Sequence, residues 1–200
     1  MRINRVSALA AIVMVGAALV APVRAQFDPI FDFIPLGGRS LLTQVLESEP
    51  PAEEAHAILT GERTAERWID YMKGRSAAVP GLQQLGDYEL ATLADYLSFN
   101  MPLPANKLPG DPAGADWSEI LPLDGRDLAL EFCQSCHIIT VVVTQDRRKE
   151  HWLGTMNKPS HVEIKLTSEE REALASYLVL NASIPIDDVP EDLRAGGASY

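Results

Sequence analysis

The sequence predicts an all-α protein built as two small helical modules in tandem, and three observations carry that expectation. Segments recur in the same order along the chain, their apolar residues fall at three- and four-residue steps, and a proline-dense stretch separates the copies. The recurrence runs through three blocks. Ile34-Pro35-Leu36-Gly37-Gly38-Arg39-Ser40-Leu41 matches Leu121-Pro122-Leu123-Asp124-Gly125-Arg126-Asp127-Leu128. Glu62-Arg63, Glu66, Trp68-Ile69 and Met72 match Asp146-Arg147, Glu150, Trp152-Leu153 and Met156. Leu85, Glu89, Leu93-Ala94, Tyr96-Leu97, Asn100 and Pro104 match Leu166, Glu170, Leu174-Ala175, Tyr177-Leu178, Asn181 and Pro185. The offset shortens from 87 to 84 to 81, as small deletions between helices of constant length would make it.

Residues 1–25 read as a secretory signal peptide. Arg2 and Arg5 precede an apolar run from Val6 to Pro22, and Val23-Arg24-Ala25 supplies the small residues of a cleavage site near Ala25. The run is shorter than the ~20 apolar residues a membrane span needs, and nothing later in the chain is long and apolar enough. The first module is expected over 26–104. A semi-extended linker follows over 105–120, inside a stretch with prolines at 102, 104, 109, 112 and 122. The second module is expected over 121–185. Its first helix starts near Asp124 or Asp127, either of which can cap it, and carries Leu128, Leu130 and Phe132. Its last helix opens on a Thr167/Glu170 capping box, bears Leu174, Tyr177 and Leu178, and stops before Pro185. Residues 186–200, acidic and then small, read as a poorly ordered tail.

Charge narrows the partners. Seventeen basic residues face twenty-eight acidic ones, a formal net charge of −11 that becomes −14 once Arg2, Arg5 and Arg24 leave with the signal peptide. So negative a chain repels phosphate backbones, which argues against nucleic acid and for partner proteins with a basic docking face. Two cysteines are too few for a disulfide scaffold or a thiolate-built zinc site. Their spacing is the informative part: Cys133-Gln134-Ser135-Cys136-His137 is C-x-x-C-H, the attachment sequence for c-type haem. Two thiols on one helical turn can each form a thioether to the haem, and His137 then offers its imidazole to the iron from the proximal side. A redox dithiol would want a βαβ context, and a local disulfide would leave His137 unexplained.

With that motif, residues 121–185 resemble a small monohaem class I cytochrome c. The likeness rests on Gly125 before the C-x-x-C-H helix, on Trp152 in a middle helix, and on Leu174-Ala175-Ser176-Tyr177-Leu178 in the last. It extends to the cytochrome subunits and domains of periplasmic dehydrogenases. The resemblance implies one covalent haem c held by Cys133 and Cys136, crossing first and last helices with Tyr177 packed at the crossing, and a sixth ligand shortly before the last helix.

Two residues compete for that sixth position. Met156 is the conventional thioether donor, but it lies four residues after Trp152 within the same helix, and its counterpart Met72 sits in a copy with no haem motif. His161 follows the helix-ending Lys158-Pro159-Ser160, precedes Leu166 by five residues, and has no counterpart; it is preferred, with Met156 as the alternative. His151 reads as a surface residue. Arg126, Arg147 and Trp152 are candidates for the haem propionates or for packing, with Arg148 and Lys149 nearby. Since Arg39 and Arg63 recur in the first copy, Arg126 and Arg147 are expected to serve the fold as well.

In the first copy Leu46, Glu49 and Pro50 stand opposite the two cysteines and His137, and His56 is its one histidine. Its crevice must be filled, with Trp68, Tyr71, Leu82 and Phe99 as expected fillers. The expectation is a periplasmic electron carrier rather than an enzyme. Two alternatives stand beside it. One is a permanent electron-accepting subunit of a dehydrogenase complex, docked through the haem-less copy. The other is a haem-based sensor or peroxidase.

Overall fold

Helix is the one regular structure among residues 29–194, the part of the chain that the computed structural model describes, and no strand occurs there. The expected signal peptide and residues 195–200 lie outside the described residues. In chain order the α-helices are α1 (Gly38–Glu47), α2 (Ala52–Leu59), α3 (Ala65–Arg75), α4 (Pro80–Gln83), α5 (Asp87–Asn100), α6 (Trp117–Ile120), α7 (Gly125–Leu128), α8 (Thr140–Val143), α9 (Lys149–Met156), α10 (Ser168–Asn181) and α11 (Glu191–Arg194). α7 runs directly into a single π-helical turn, Ala129–Cys133. No described helix is long and apolar enough to cross a membrane.

The helix starts follow from local chemistry. Thr167 Oγ1 accepts from Glu170 N at 3.1 Å, and Glu170 Oε2 accepts from Thr167 N at 2.7 Å, so both reciprocal bonds of the expected capping box form at α10. Asp124 is the cap of α7: its Oδ1 accepts from Asp127 N at 2.9 Å, and Asp127 returns the bond through Oδ2 at 3.1 Å. Glu89 does the same for α5 by accepting from Gly86 N at 2.8 Å.

Two hydrophobic cores result, and the chain segments that complete them cross over. The first core gathers residues of α1, α2, α3 and α5 together with Val79 and Leu82, and it also takes Trp117 and Leu121. The second gathers residues of α7, α9 and α10, and it takes Phe31 and Ile34 from the start of the chain. Each arm preceding a first helix therefore packs on the other half. The hydrogen bonds repeat the exchange. Tyr96 donates to Pro122 O at 2.8 Å and Tyr177 to Pro35 O at 2.6 Å; Arg39 Nη1 donates to Ser118 O at 3.1 Å and Arg126 Nη2 to Phe31 O at 3.0 Å. Tyr96 and Tyr177, Pro35 and Pro122, and Arg39 and Arg126 are the pairs matched in the sequence. The helices α5 and α10 meet through another matched pair, Ser176 Oγ donating to Asp95 Oδ1 at 2.6 Å.

Three expectations change here. The stretch 105–120 is not only linker: Asp116 caps α6, and Trp117 is 3% exposed in the first core, because a proline-rich composition does not reveal where a lone indole will bury. The boundary at 26–104 does not hold for the arm, since Phe31 and Ile34 belong to the second core. The tail is ordered through Arg194. Val189 is buried, Leu193 packs on the second core, Thr140 Oγ1 donates to Leu193 O at 2.7 Å, and Arg194 donates to the carbonyls of Val189 and Asp187. Two apolar side chains at a short spacing anchor an otherwise acidic segment.

At the junction of the halves lies a buried charge cluster. Asp124 Oδ2 accepts from Arg39 N at 2.8 Å, and Asp127 Oδ2 pairs with Arg39 Nε at 2.8 Å. Burial pushes both carboxyls upward, Asp127 to about 7, with the charge of Asp124 adding to its rise and Arg39 opposing it. Close approach at the helix crossings needs glycine. A Cβ on Gly38 would fall on the Tyr96 side chain and one on Gly125 on that of Tyr177, whereas one on Gly74 would meet nothing within 4 Å. Gly125→Ala should therefore lower stability by about 1–3 kcal/mol or more. Gly74→Ala, in the last turn of α3, should raise it by roughly 0.4–1 kcal/mol, mainly by restricting the unfolded chain. Urea unfolding of both variants checks the opposite signs.

Candidate functional site

The C-x-x-C-H segment sits where the first helix of the second half ends. After the π turn, which inserts an extra residue of a kind common beside functional sites, Cys133 O accepts from Cys136 N at 3.3 Å and from His137 N at 3.1 Å. These bonds curl the motif into a turn, leaving Cys133 half-buried and Cys136 and His137 exposed. Both cysteines carry free thiols.

The turn forms one wall of a cavity of about 480 Å³. Cys133, Cys136, His137, Arg147, Trp152, Met156 and His161, distant in sequence, all line it. Phe132, Val141, Val142, Leu174 and Leu178 make the rest of the wall largely apolar. The second half keeps this space because the chain between α9 and α10 is a loop standing off the core. In the first half the matching chain forms α4, which packs on α1: Val79 and Leu82 are buried, and Gly81 N donates to Ser48 Oγ at 2.9 Å. Leu82 and Trp68 fill as expected, and Tyr71 packs at the edge with its hydroxyl on Glu54 at 2.8 Å. Phe99 does not fill; it is 39% exposed, beneath the Lys149 ammonium.

The two histidines both line the cavity, ring centres 6.0 Å apart and planes inclined by 30°. Ser160 Oγ lies 3.0 Å from His161 Nδ1, which fixes the ring and leaves Nε2 for another partner. Met156 is also in the wall, 7% exposed at the end of α9. His151 is exposed and lines only a shallow neighbouring groove.

Of the charged candidates, Arg147 is at the cavity and Arg126 is not. Arg147 lies over Trp152 at 5.1 Å and donates to Thr155 Oγ1 at 3.2 Å and Gln145 Oε1 at 3.3 Å, neutral partners that leave its charge for something else. The matched Arg63 covers Trp68 and Tyr71 at 4.4 and 4.3 Å. Arg126 is instead buried at the arm crossing, where its Nη2 donates to Phe31 O. Trp152 is buried, and its indole N–H has no hydrogen-bond partner among the described residues. The sequence reading missed Ser160 and Arg171. Ser160 could have been found from its adjacency to His161, and Arg171 from being a charge where the matched residue is Leu90.

A redox dithiol fits poorly. Burial, and then the neighbouring Cys136, push the Cys133 thiol up to about 11, whereas a redox dithiol depends on a lowered thiol. Among the described residues no group of three or more His, Cys, Asp or Glu is placed to hold a metal ion. Comparison of the chain with protein-family models, with curated proteins and with solved structures gave no match.

The two thiols should differ sharply in the chain before any group is attached. Iodoacetamide should modify the exposed Cys136 first. Cys133 should stay slow near neutral pH, where its raised value leaves almost no thiolate, and should speed up as the pH climbs toward 11. Peptide mass mapping across pH reads both rates; equal rates near neutrality would contradict the burial argument.

Proposed function

We propose that the protein binds one covalent haem c in this cavity and carries single electrons between redox partners outside the cytoplasm. The observation that carries this reading is the close pair His137 and His161 beside Cys133 and Cys136. Two imidazoles sharing one ion need about 2 Å per metal–nitrogen bond and about 1 Å from each nitrogen to its ring centre, roughly 6 Å in all. The separation of 6.0 Å meets that requirement. The volume, about 480 Å³, lies within the ~300–1,000 Å³ of cofactor sites. The unpartnered Trp152 N–H and the acid-free Arg147 are donors suited to haem carboxylates.

In this reading Cys133 and Cys136 would tether the group through thioethers, and His137 and His161 would bind its iron. Ser160, by accepting from Nδ1–H of His161, would leave Nε2 as the ligating nitrogen, and the apolar wall would exclude water. When bound, haem supplies a one-electron iron couple. Two histidines available to the iron would favour electron transfer over binding of an outside ligand, which weighs against the sensor or peroxidase alternative. Met156, buried at the end of α9, is the alternative sixth ligand.

Partner choice follows from charge. The net charge of −14 on the chain without residues 1–25 draws partners with a basic docking face, by a field that salt screens. Residues 145–166 carry five Lys or Arg against three Asp or Glu, so the acidic excess lies away from this side of the cavity. A basic partner would address those other faces, including the haem-less half, which is also the surface a permanent dehydrogenase subunit would use.

A ferric spectrum of the purified protein tests the reading. It should be low-spin, survive acid extraction with colour still on the chain, and lack the near-infrared band of methionine–iron bonding. His161→Ala should turn it high-spin, and His161→Met should raise the reduction potential, as a thioether does relative to imidazole. A colourless protein, or haem that extracts freely, would sink the proposal.

A further inference from the structure

We infer that Arg171 is the positioning residue that holds His161 over the cavity, an inference that rests on the reading of His161 as an iron ligand. Arg171 lies in the first turn of α10 and is 8% exposed. Its Nη1 donates to Met156 O at 2.7 Å and its Nη2 to Ile164 O at 2.8 Å. One planar guanidinium thus grips both ends of the segment that carries His161. Among the described residues no carboxylate pairs with it, so its donors are given to these carbonyls.

Among the described residues no other non-local hydrogen bond ties the segment to the rest of the protein, and its apolar anchor is Leu166, packed on the second core. The hydrogen bonds of residues 158–166 are otherwise local. Lys158 N donates to Thr155 O, His161 N and Val162 N donate to Lys158 O, Ile164 N to His161 O, and Leu166 N to Ile164 O. These bonds shape the loop without fixing it to the protein. Met156 O is moreover one of the carbonyls a helix leaves unsatisfied at its C-terminus, and a cation there is favoured by the helix dipole.

The first half shows what happens without the arginine. Position 90, matched to Arg171, is leucine and is buried in the core. The chain before it folds inward as α4 and fills the space with Val79 and Leu82. An arginine at this position satisfies two carbonyls and keeps the loop at a set distance from α10; leucine lets the chain collapse. A lysine could reach one carbonyl but not span both, because only the guanidinium fork presents two donors in a fixed plane.

The test uses the full, haem-loaded protein with Arg171→Leu, Arg171→Lys and His161→Ala side by side. The readouts are ferric spin state, the rate of carbon monoxide binding to the ferrous form, and amide exchange across 157–166. Arg171→Leu should keep its covalent colour yet gain a high-spin fraction, bind carbon monoxide about tenfold faster or more, and exchange its loop amides faster by a similar factor. Arg171→Lys should fall between it and the parent. If Arg171→Leu fails to fold, Arg171→Lys decides alone: parental spin state, ligand rate and exchange would overturn the inference. So would the same parental behaviour in a folded Arg171→Leu while His161→Ala is high-spin, which would leave Arg171 as a helix cap only. If His161→Ala itself stays low-spin, the ligand assignment falls and this inference falls with it.

Discussion

One buried carboxylate holds the two halves in register. Asp124 accepts from the N-terminus of its own helix through Asp127 N and from the N-terminus of the opposite helix through Arg39 N, one oxygen for each. Two helix starts, both carrying partial positive charge, therefore converge on a single anion. Charge-assisted bonds of this kind are worth ~1.5–3 kcal/mol each, and leaving the group unpaired would cost more. The sharing explains an asymmetry in the repeat. The position matched to Asp124 is Gly37, and a Cβ there would collide with the Asp124 carboxylate, so a second aspartate has no room. Because α7 begins at this point and runs on through the π turn to Cys133, the same carboxylate sets where the C-x-x-C-H turn meets the rest of the cavity.

The two halves differ most where the chemistry lies. Both keep an arginine over a tryptophan, Arg63 on Trp68 and Arg147 on Trp152, and both indole N–H groups lack a partner. That shared geometry shows that the Trp and Arg alone do not make a site. The difference comes from the segment ahead of the last helix, which is inward and helical in one half and held open in the other. A small core tolerates an apolar-lined hollow of this size poorly unless something occupies it. The side chains of the first half occupy theirs; those of the second leave space and place two imidazoles in its wall.

Local signals were readable and distant ones were not. Thr167 and Glu170 announced the start of α10, and Asp124 that of α7, because caps are made by residues within one turn. His161 could be singled out because a helix-ending Lys158-Pro159-Ser160 preceded it and nothing matched it in the first copy. The arm exchange was illegible, since Phe31 and Ile34 bury equally well in either core and their spacing does not say which. Trp117 was hidden for the same reason, its burial depending on a surface offered by the first core. Arg126 looked like a cofactor contact because its sequence neighbours approach the motif, yet its guanidinium belongs to the arm from Phe31. Arg171 works through backbone carbonyls, which no side-chain pattern records.

The reciprocal arms also govern the order in which the chain can become whole. The segment that completes the second core is the earliest described part of the chain, and it is secured by Tyr177, 142 residues later, reaching Pro35. Until α10 is present, Phe31 and Ile34 have no core to enter, and until the arm at Trp117 arrives the first core lacks its cover. Contacts of such separation are slow to form and leave apolar surface open meanwhile. Completion of the second core is therefore tied to the docking of a segment encoded far ahead of the helices that receive it.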